Sequence, residues 1–493
     1  MSKTISQQEL EQYLWGAAVL LRGVIDPGEY KSIIFPLMFF KRISDVYDEE
    51  YQEALEESDG DKEYAEFAEN HRFQVPLGAH WEDVRNVSID VGKAIKTAMS
   101  EIEKANPDRL AGIFGDTNWT NKNRLTDKIL IDLVEHFSTI NLSLKSVPQD
   151  EFGTGYEYLI KKFADDSGHT AAEFYTNRTV VRLMSMIVDP KTGESIYDPT
   201  CGSGGMLLNA ALLAKENDQE YRNISLYGQE INIITSAIAR MNMFLHGFED
   251  FHIVRGDTLS NPSFVENDRV KQFDMVLANP PYSIKKWNQK AWQHDPWGRN
   301  IYGTPPQGCA DYAFFQHIIS SLREDTGRCA ILWPHGILFR DAEFDMRKQL
   351  IESDVVDCVI GLGKNLFYNS VMESCIVVCS KNKPEKRKGK VLFINGLEQV
   401  IEEKQMAFLS DENIQTLYEL YKGYENVPRL SHVASLDEIK KKDFSLNVPI
   451  YVQKYELGEV EESLEELVQQ WNKSSTEIKQ HTIELFSTLK EVI

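Results

Sequence analysis

Metal-ligand spacing is missing from this chain. Its six cysteines, Cys201, Cys309, Cys329, Cys358, Cys375 and Cys379, form no CxxC pair and no other zinc-binding pattern. They read as small buried hydrophobes of a reducing compartment, and no metal is expected. Long apolar runs are missing as well. None reaches the roughly 20 residues of a membrane span, and the opening residues carry no signal-peptide core. A cytoplasmic protein without a membrane partner is the expectation. Positive charge is scarce: 53 Lys and Arg stand against 76 Asp and Glu, a formal net charge of −23. That balance repels a polyanion, because affinity for nucleic acid rests largely on cations that neutralise phosphates. There is also no GxGxxG and no Gly-rich turn followed by Lys-Ser/Thr, so dinucleotide and triphosphate sites have no support.

What is present begins with Asn279-Pro280-Pro281-Tyr282. The preceding run, Phe273 to Ala278, is short, apolar and closed by a Pro pair, which predicts a buried strand ending at Asn279. Ligands of open α/β sheets sit at the carboxyl ends of strands. There an Asn side-chain oxygen and a proline-fixed carbonyl can together accept both hydrogens of a planar exocyclic amine. The Tyr ring can stack on the base that carries it. A strand-ending turn with a packed Tyr is the plain alternative.

A second strand is predicted over Ser195 to Asp198, followed by the turn Pro199-Thr200-Cys201-Gly202-Ser203-Gly204-Gly205 and a helix from Met206. Glycines there let backbone N–H groups come close to a ligand at a helix N-terminus. Asp198 disfavours a phosphate and suits an amine. Two further predicted strands close on acids, Leu226 to Glu230 and Val254 to Asp257. Each acid alone reads as a cap. Three at successive strand ends, ahead of Asn-Pro-Pro-Tyr, read as a binding site.

With these segments in order, the chain resembles the S-adenosylmethionine-dependent amino-methyltransferases of DNA. More closely it resembles the modification subunit of type I restriction-modification systems, of the gamma motif order. Glu173-Phe174-Tyr175-Thr176-Asn177-Arg178 resembles the family's cofactor-methionine segment, with Asn177 where Pro is usual. The resemblance continues through Ala310-Asp311-Tyr312-Ala313-Phe314, Trp333 to Arg340 and Asn365-Leu366-Phe367-Tyr368. It implies a site-specific adenine DNA methyltransferase that transfers a methyl group from S-adenosyl-L-methionine to N6 of a flipped adenine. Asn279, Pro280, Pro281 and Tyr282 would be catalytic. Glu173 to Arg178 and Cys201 to Ser203, with Asp198 and Gly204, would line the methionine side. Glu230 would hold the ribose and Asp257 the cofactor adenine. Implied partners are a specificity subunit, a restriction subunit, a second copy of the chain in an M2S complex, and double-stranded DNA. The net acidity accords with recognition by a separate subunit. Rival readings are a self-sufficient adenine or cytosine-N4 methyltransferase, a release-factor glutamine methyltransferase, and a non-catalytic scaffold.

The expected fold is α/β: a doubly wound, Rossmann-like sheet with a helical N-terminal domain and a helical C-terminal tail. Boundaries are placed at 1–150, 151–395 and 396–493. Leu10, Leu14, Ala17 and Leu21, then Ile34, Leu37, Met38 and Phe40, recur at helical spacing in the first part. Glu49 to Asn70 is an acidic run, expected to be solvated. In the last part Leu464, Leu467, Val468 and Trp471, then Ile478, Thr482, Leu485, Leu489 and Val492, form two apolar stripes. They would pack on their own domain or dock on another subunit. Lys381 to Lys390 (KNKPEKRKGK) is expected as a solvated hairpin loop or a phosphate contact. The segment Ser283 to Gly308 mixes Trp287, Trp292 and Trp297 with Lys285, Lys286 and Arg299. It would close over extruded nucleic acid or be a loop packed by its own rings.

Overall fold

The computed structural model describes residues 5–166, 176–366, 372–402 and 406–452, with 468–469, 471–476, 478–479 and 482. Helix Gln7–Leu21 starts at a reciprocal cap: Glu9 N–H donates to Ser6 Oγ, and Ser6 N–H donates to Glu9 Oε2 at 2.9 Å. It buries the expected stripe of Leu10, Leu14, Ala17 and Leu21. Helix Tyr30–Glu57 buries Ile34, Leu37, Met38 and Phe40. The helical core also takes in Ala237, Ile238, Met241, Phe244 and Leu245 of helix Ile233–Leu245. The opposite face of that helix, Ala239 and Met243, belongs to the core under the sheet. One helix therefore joins the two parts.

The strands are β1 (Ser195–Asp198), β2 (Ser225–Glu230), β3 (Phe251–Arg255), β4 (Val265–Glu266), β5 (Arg269–Val270), β6 (Met275–Ala278), β7 (Arg328–Pro334), β8 (Val356–Leu362), β9 (Ser374–Ser380), β10 (Lys390–Gly396) and β11 (Ser431–Ser435). Among the described residues nine form one sheet in the order β11-β10-β8-β9-β7-β6-β1-β2-β3, while β4 and β5 make a small separate hairpin. The run from β3 to β7 is parallel, and β9 is antiparallel to both neighbours. β1, β6 and β8 are buried along their whole length, as strands covered on both faces must be. Alternate residues serve the two faces: Ile196, Leu332 and Ile360 pack on one side, Tyr197, Ile331 and Val359 on the other. Helices Arg178–Val188, Gly205–Glu216 and Asp411–Gly423 cover the first face. Helices Asp311–Ser320 and Phe344–Glu352 cover the second. This is the doubly wound sheet with a helical N-terminal region that the sequence predicts, and the antiparallel β9 and β11 make it mixed.

The chain turns in opposite directions from β1 and from β6, so the topological switch point lies between these neighbours. Their pairing matches Ile196 to Met275 and Tyr197 to Val276. At the amino end of β6, Asp274 accepts from Ser195 N–H at 2.9 Å and Ser195 Oγ at 2.7 Å. That clamp fixes how the opposite, carboxyl ends stand to each other.

Two segments depart from expectation. Lys381 to Lys390 is not a hairpin, because β8 lies between β9 and β10 and the connection steps over it. Its cations are partly internal: Lys383 is buried against Asp354 (2.7 Å), and Arg387 pairs with Asp357 (2.8 Å). After residue 396 the chain carries helices Asp411–Gly423 and Leu436–Lys441, but also β11, which completes the sheet. Of the two tail stripes, Val468, Trp471 and Ile478 are 49, 70 and 67 % exposed. Leu464, Leu467, Leu485, Leu489 and Val492 lie outside the described residues.

Candidate active site

Both predicted motifs leave the sheet at the switch point. β1 ends on Asp198, and its turn leads into helix Gly205–Glu216. β6 ends on Ala278, so Asn279 is the first residue beyond it. Gly202 (φ 54°) and Gly204 (φ 78°) are left-handed, which explains two glycines where the chain doubles back. Gly205 has a different reason: a Cβ there would collide with the Arg178 guanidinium.

Asp198 and Glu230 are the last residues of β1 and β2, Asp257 lies two residues past the end of β3, and each holds backbone. Asp198 Oδ1 accepts from Thr200 N–H at 2.9 Å. Glu230 accepts from Gly202 N–H at 3.0 Å with Oε2 and from Asn232 N–H at 2.8 Å with Oε1. Asp257 accepts from Leu259 N–H at 3.0 Å and Ser260 Oγ at 2.8 Å. Capping does not exhaust their oxygens, since each carboxyl oxygen has more than one lone pair to offer. Burial pushes the Asp198 carboxyl up to about 8, and Glu230 nearby pushes the same way. Burial likewise raises the Cys201 thiol well above its ordinary range, so it is an inert wall.

Asn279 Nδ2 donates to Thr176 Oγ1 at 3.1 Å, which sets the amide so that Oδ1 faces Tyr282. The Tyr282 hydroxyl donates to that Oδ1. Pro280 is buried, and Pro281 and Tyr282 are half-buried. The ring of Tyr282 lies 6.4 Å from that of Trp333 on β7.

Asn177 and Arg178 occupy the rim. Asn177 caps helix Arg178–Val188 by accepting from Thr179 N–H at 3.1 Å, and its Nδ2 donates to the Ala407 carbonyl at 2.8 Å. The usual Pro could make neither bond. Arg178 Nε donates to Glu157 at 2.8 Å. Asn242 Nδ2 donates to Glu157 at 2.7 Å and to the Ser203 carbonyl at 3.1 Å. Glu157 and Asn242 thus brace the Gly-rich turn, and local pattern alone gave no sign of them. Glu173, Phe174 and Tyr175 lie outside the described residues.

The aromatic segment after the tetrapeptide is packed by its own rings. Arg299 is fully buried, 4.7 Å from Trp292 and 4.9 Å from Trp297, and pairs with Asp295 at 2.6 Å. It donates to the carbonyls of Thr258 and Leu259, both at 2.8 Å, directly after Asp257. Arg299 is therefore not a phosphate contact. Lys285 and Lys286 are exposed.

Three acids, two left-handed glycines and an oriented amide at the carboxyl ends of β1, β2, β3 and β6 have the donor and acceptor chemistry to fit a cationic, ribose-bearing cofactor beside an amine substrate. Residues 10–137 match the HsdM N-terminal domain. The methylase subunit of the type I restriction enzyme MjaVIII of Methanocaldococcus jannaschii is 32 % identical, over 99 % of this chain and 86 % of that protein. The MpnII methylase subunit of Mycoplasma pneumoniae is 26 % identical, over 97 % of this chain and 96 % of its own length. The crystal structure of a type I restriction-modification methyltransferase subunit from Streptococcus thermophilus superposes with a TM-score of 0.79 at 29 % identity, covering 91 % of this chain and 100 % of that one. Residues 147–460 match the N-6 DNA Methylase family, to which this chain belongs.

Proposed function

We propose that this chain is the methylase subunit of a type I restriction-modification complex. It transfers the methyl group of S-adenosylmethionine to N6 of an adenine extruded from duplex DNA. One observation carries the reading: the Asn279 amide, oriented by Thr176, stands at the switch point next to the Gly-rich turn of β1. Bound there, S-adenosylmethionine supplies a sulfonium-activated methyl group.

The adenine amine is a weak nucleophile because its lone pair is delocalised into the ring. Asn279 Oδ1 and the Pro280 carbonyl accept its two hydrogens and favour a more tetrahedral nitrogen. Tyr282 first releases Asn279 Oδ1, which its hydroxyl holds in the free protein, and then stacks on the base. Asp198 would hold the ammonium group of the cofactor, Glu230 its ribose and Asp257 its adenine. No base is needed before transfer, since the N6 proton becomes acidic once the methyl has arrived and leaves to solvent. Acceleration comes from positioning and from oriented dipoles. An adenine in a stacked duplex cannot reach Asn279 at the end of β6, so flipping is required.

Recognition is assigned to a specificity subunit, and cleavage to a restriction subunit, in an assembly with two copies of this chain. The support is the net charge of −23 and the exposure of Val468, Trp471 and Ile478 at helical spacing. The decisive experiment is to purify the chain with its specificity subunit, label DNA from methyl-tritiated cofactor, and identify the modified nucleoside. N6-methyladenine is expected, and Asn279→Ala should abolish it while cofactor binding persists. Label in N4-methylcytosine, or none, would overturn the reading.

A further inference from the structure

The stretch Ala310 to Phe314 has no role in the chemistry above, yet it carries a fully buried carboxylate. Asp311 is 0 % exposed and begins helix Asp311–Ser320, which packs on the face of the sheet away from helix Gly205–Glu216. Its Oδ1 accepts from Ser283 N–H at 2.7 Å, and Ser283 is the residue immediately after Tyr282. Its Oδ2 accepts from Arg340 Nη2 at 2.5 Å. Arg340 follows the turn at the carboxyl end of β7, and its Nε donates to Glu343 at 2.8 Å. Cys309 Sγ, Asp311 and Glu343 bring their ligand atoms within 4.8 Å of one another, an arrangement that could be taken for a metal site. Arg340 bonds both carboxylates, so the cluster already holds its cation.

What the cluster grips is the far end of the tetrapeptide. Pro280 and Pro281 restrict their own φ angles, but neither restricts the chain beyond Tyr282. Ser283 sits at φ 53°, a left-handed conformation that a serine adopts only when its surroundings impose it. The bond from Asp311 Oδ1 holds the serine N–H in that conformation. From the other side Thr176 holds Asn279. The tetrapeptide is therefore pinned at both ends, by an amide bond at its first residue and by a buried carboxylate just after its last.

We propose that Asp311 is a positioning residue for methyl transfer. Through Ser283 N–H it sets where Tyr282 presents its ring to the base, and through Arg340 it ties that placement to the end of β7. This rests on the assignment of Asn279 to Tyr282 as the base-binding segment. Asp311 touches neither base nor cofactor, so its loss acts on turnover and not on cofactor affinity.

The test uses the full chain assembled with its specificity subunit, cognate duplex DNA and S-adenosylmethionine. Asp311→Ala offers Ser283 no acceptor. Asp311→Asn offers one oxygen, for which Ser283 N–H and Arg340 compete. The expected order of kcat is wild type, then Asp311→Asn, then Asp311→Ala, the last lower by about a hundredfold, a loss typical of a small misplacement of reacting groups. Calorimetric affinity for S-adenosylmethionine should stay within about twofold of wild type for both variants. Wild-type kcat in Asp311→Ala would overturn the proposal while leaving the site assignment standing. So would a loss of cofactor affinity that parallels the loss of kcat, which marks a general structural role. A wild-type complex that cannot methylate would overturn the site assignment, and the proposal with it. If Asp311→Ala does not fold, Asp311→Asn decides: reduced kcat with unchanged cofactor affinity and thermal midpoint supports the proposal, and unchanged kcat overturns it.

Discussion

Thr176 Oγ1 accepts the Asn279 amide at 3.1 Å, joining two segments 103 residues apart in sequence. Thr176 belongs to the stretch that the family resemblance assigns to the methionine end of the cofactor. The bond leaves Asn279 Oδ1, now held by the Tyr282 hydroxyl, as the atom that would face the base in the proposed reading, whereas a flipped amide would present two donors to a donor amine. Thr176→Val keeps shape and removes the acceptor. We expect kcat to fall about tenfold, in line with one neutral hydrogen bond of about 1–1.5 kcal/mol felt mainly in the transition state. Cofactor affinity should change little. A raised cofactor Kd with unaltered kcat would assign Thr176 to the cofactor alone.

Glu230 holds the Gly-rich turn through Gly202 N–H at 3.0 Å, and the proposed site also gives it the cofactor ribose. Two substitutions separate these duties. Glu230→Gln preserves an acceptor for Gly202, while its amide end weakens the ribose contact. Glu230→Ala loses both. Calorimetry should show Glu230→Ala weaker in S-adenosylmethionine binding by about 1.5–3 kcal/mol, the range of a charge-assisted bond. Glu230→Gln should fall between Ala and wild type. Equal affinity in all three proteins would leave Glu230 as a turn residue only.

Strands β1, β2 and β6 were legible because a parallel strand inside the sheet is a short apolar run with a Gly, Pro or acid at its end, whereas only Val254 and Arg255 of the mostly solvent-facing β3 were read as strand. Asp198 and Glu230 are the last residues of β1 and β2, as the sequence predicts, whereas β3 ends at Arg255 and Asp257 follows it by two residues. Relations across the chain were not legible. Nothing local to Asp311 says that its carboxylate meets Ser283, 28 residues earlier. The run Lys381 to Lys390 looked like a hairpin because its flanking strands are adjacent in sequence, yet β8 separates them in the sheet. β11 escaped notice because its burial does not alternate along the strand. An edge strand paired on one side leaves little periodicity to read.

Burial holds the Asp198 carboxyl near pH 8 in the free protein, far above the ordinary carboxylate range. Between about pH 4 and 8 the folded chain keeps a proton there that the unfolded chain has lost. That contribution to stability is complete at low pH and disappears as pH rises through about 8. Thermal midpoints of the free protein should therefore fall from pH 6 to pH 9, and less steeply in Asp198→Asn. A cationic ammonium group prefers the ionised carboxylate. Cofactor affinity should accordingly weaken as pH drops below 8, and binding at pH 7 should release close to one proton. Calorimetry in buffers of different ionisation enthalpy measures that release. A heat independent of buffer would show that Asp198 is already ionised before binding.

Lys285, Lys286 and Arg299 are indistinguishable by composition, but the structure separates them. Arg299 has its guanidinium between two Trp rings, pairs with Asp295 and donates to the carbonyls of Thr258 and Leu259. Removing it strands a buried carboxylate and two carbonyls, so Arg299→Met should lower the thermal midpoint of the free chain by several degrees. The same change should loosen the turn that carries Asp257 and weaken cofactor binding. The exposed Lys285 and Lys286 lie three and four residues after Tyr282, where extruded DNA would pass in the proposed reading. Lys285→Ala with Lys286→Ala should leave the midpoint and cofactor affinity unchanged. It should weaken binding of the assembled complex to cognate and non-cognate duplexes alike. The slope of log K against log salt should drop by about 1.8, since each phosphate contact on duplex DNA contributes about 0.9. Mobility shifts at several salt concentrations, with and without the double substitution, give that slope directly. An unchanged slope would place the DNA path away from this segment and leave the two lysines as ordinary solvated surface.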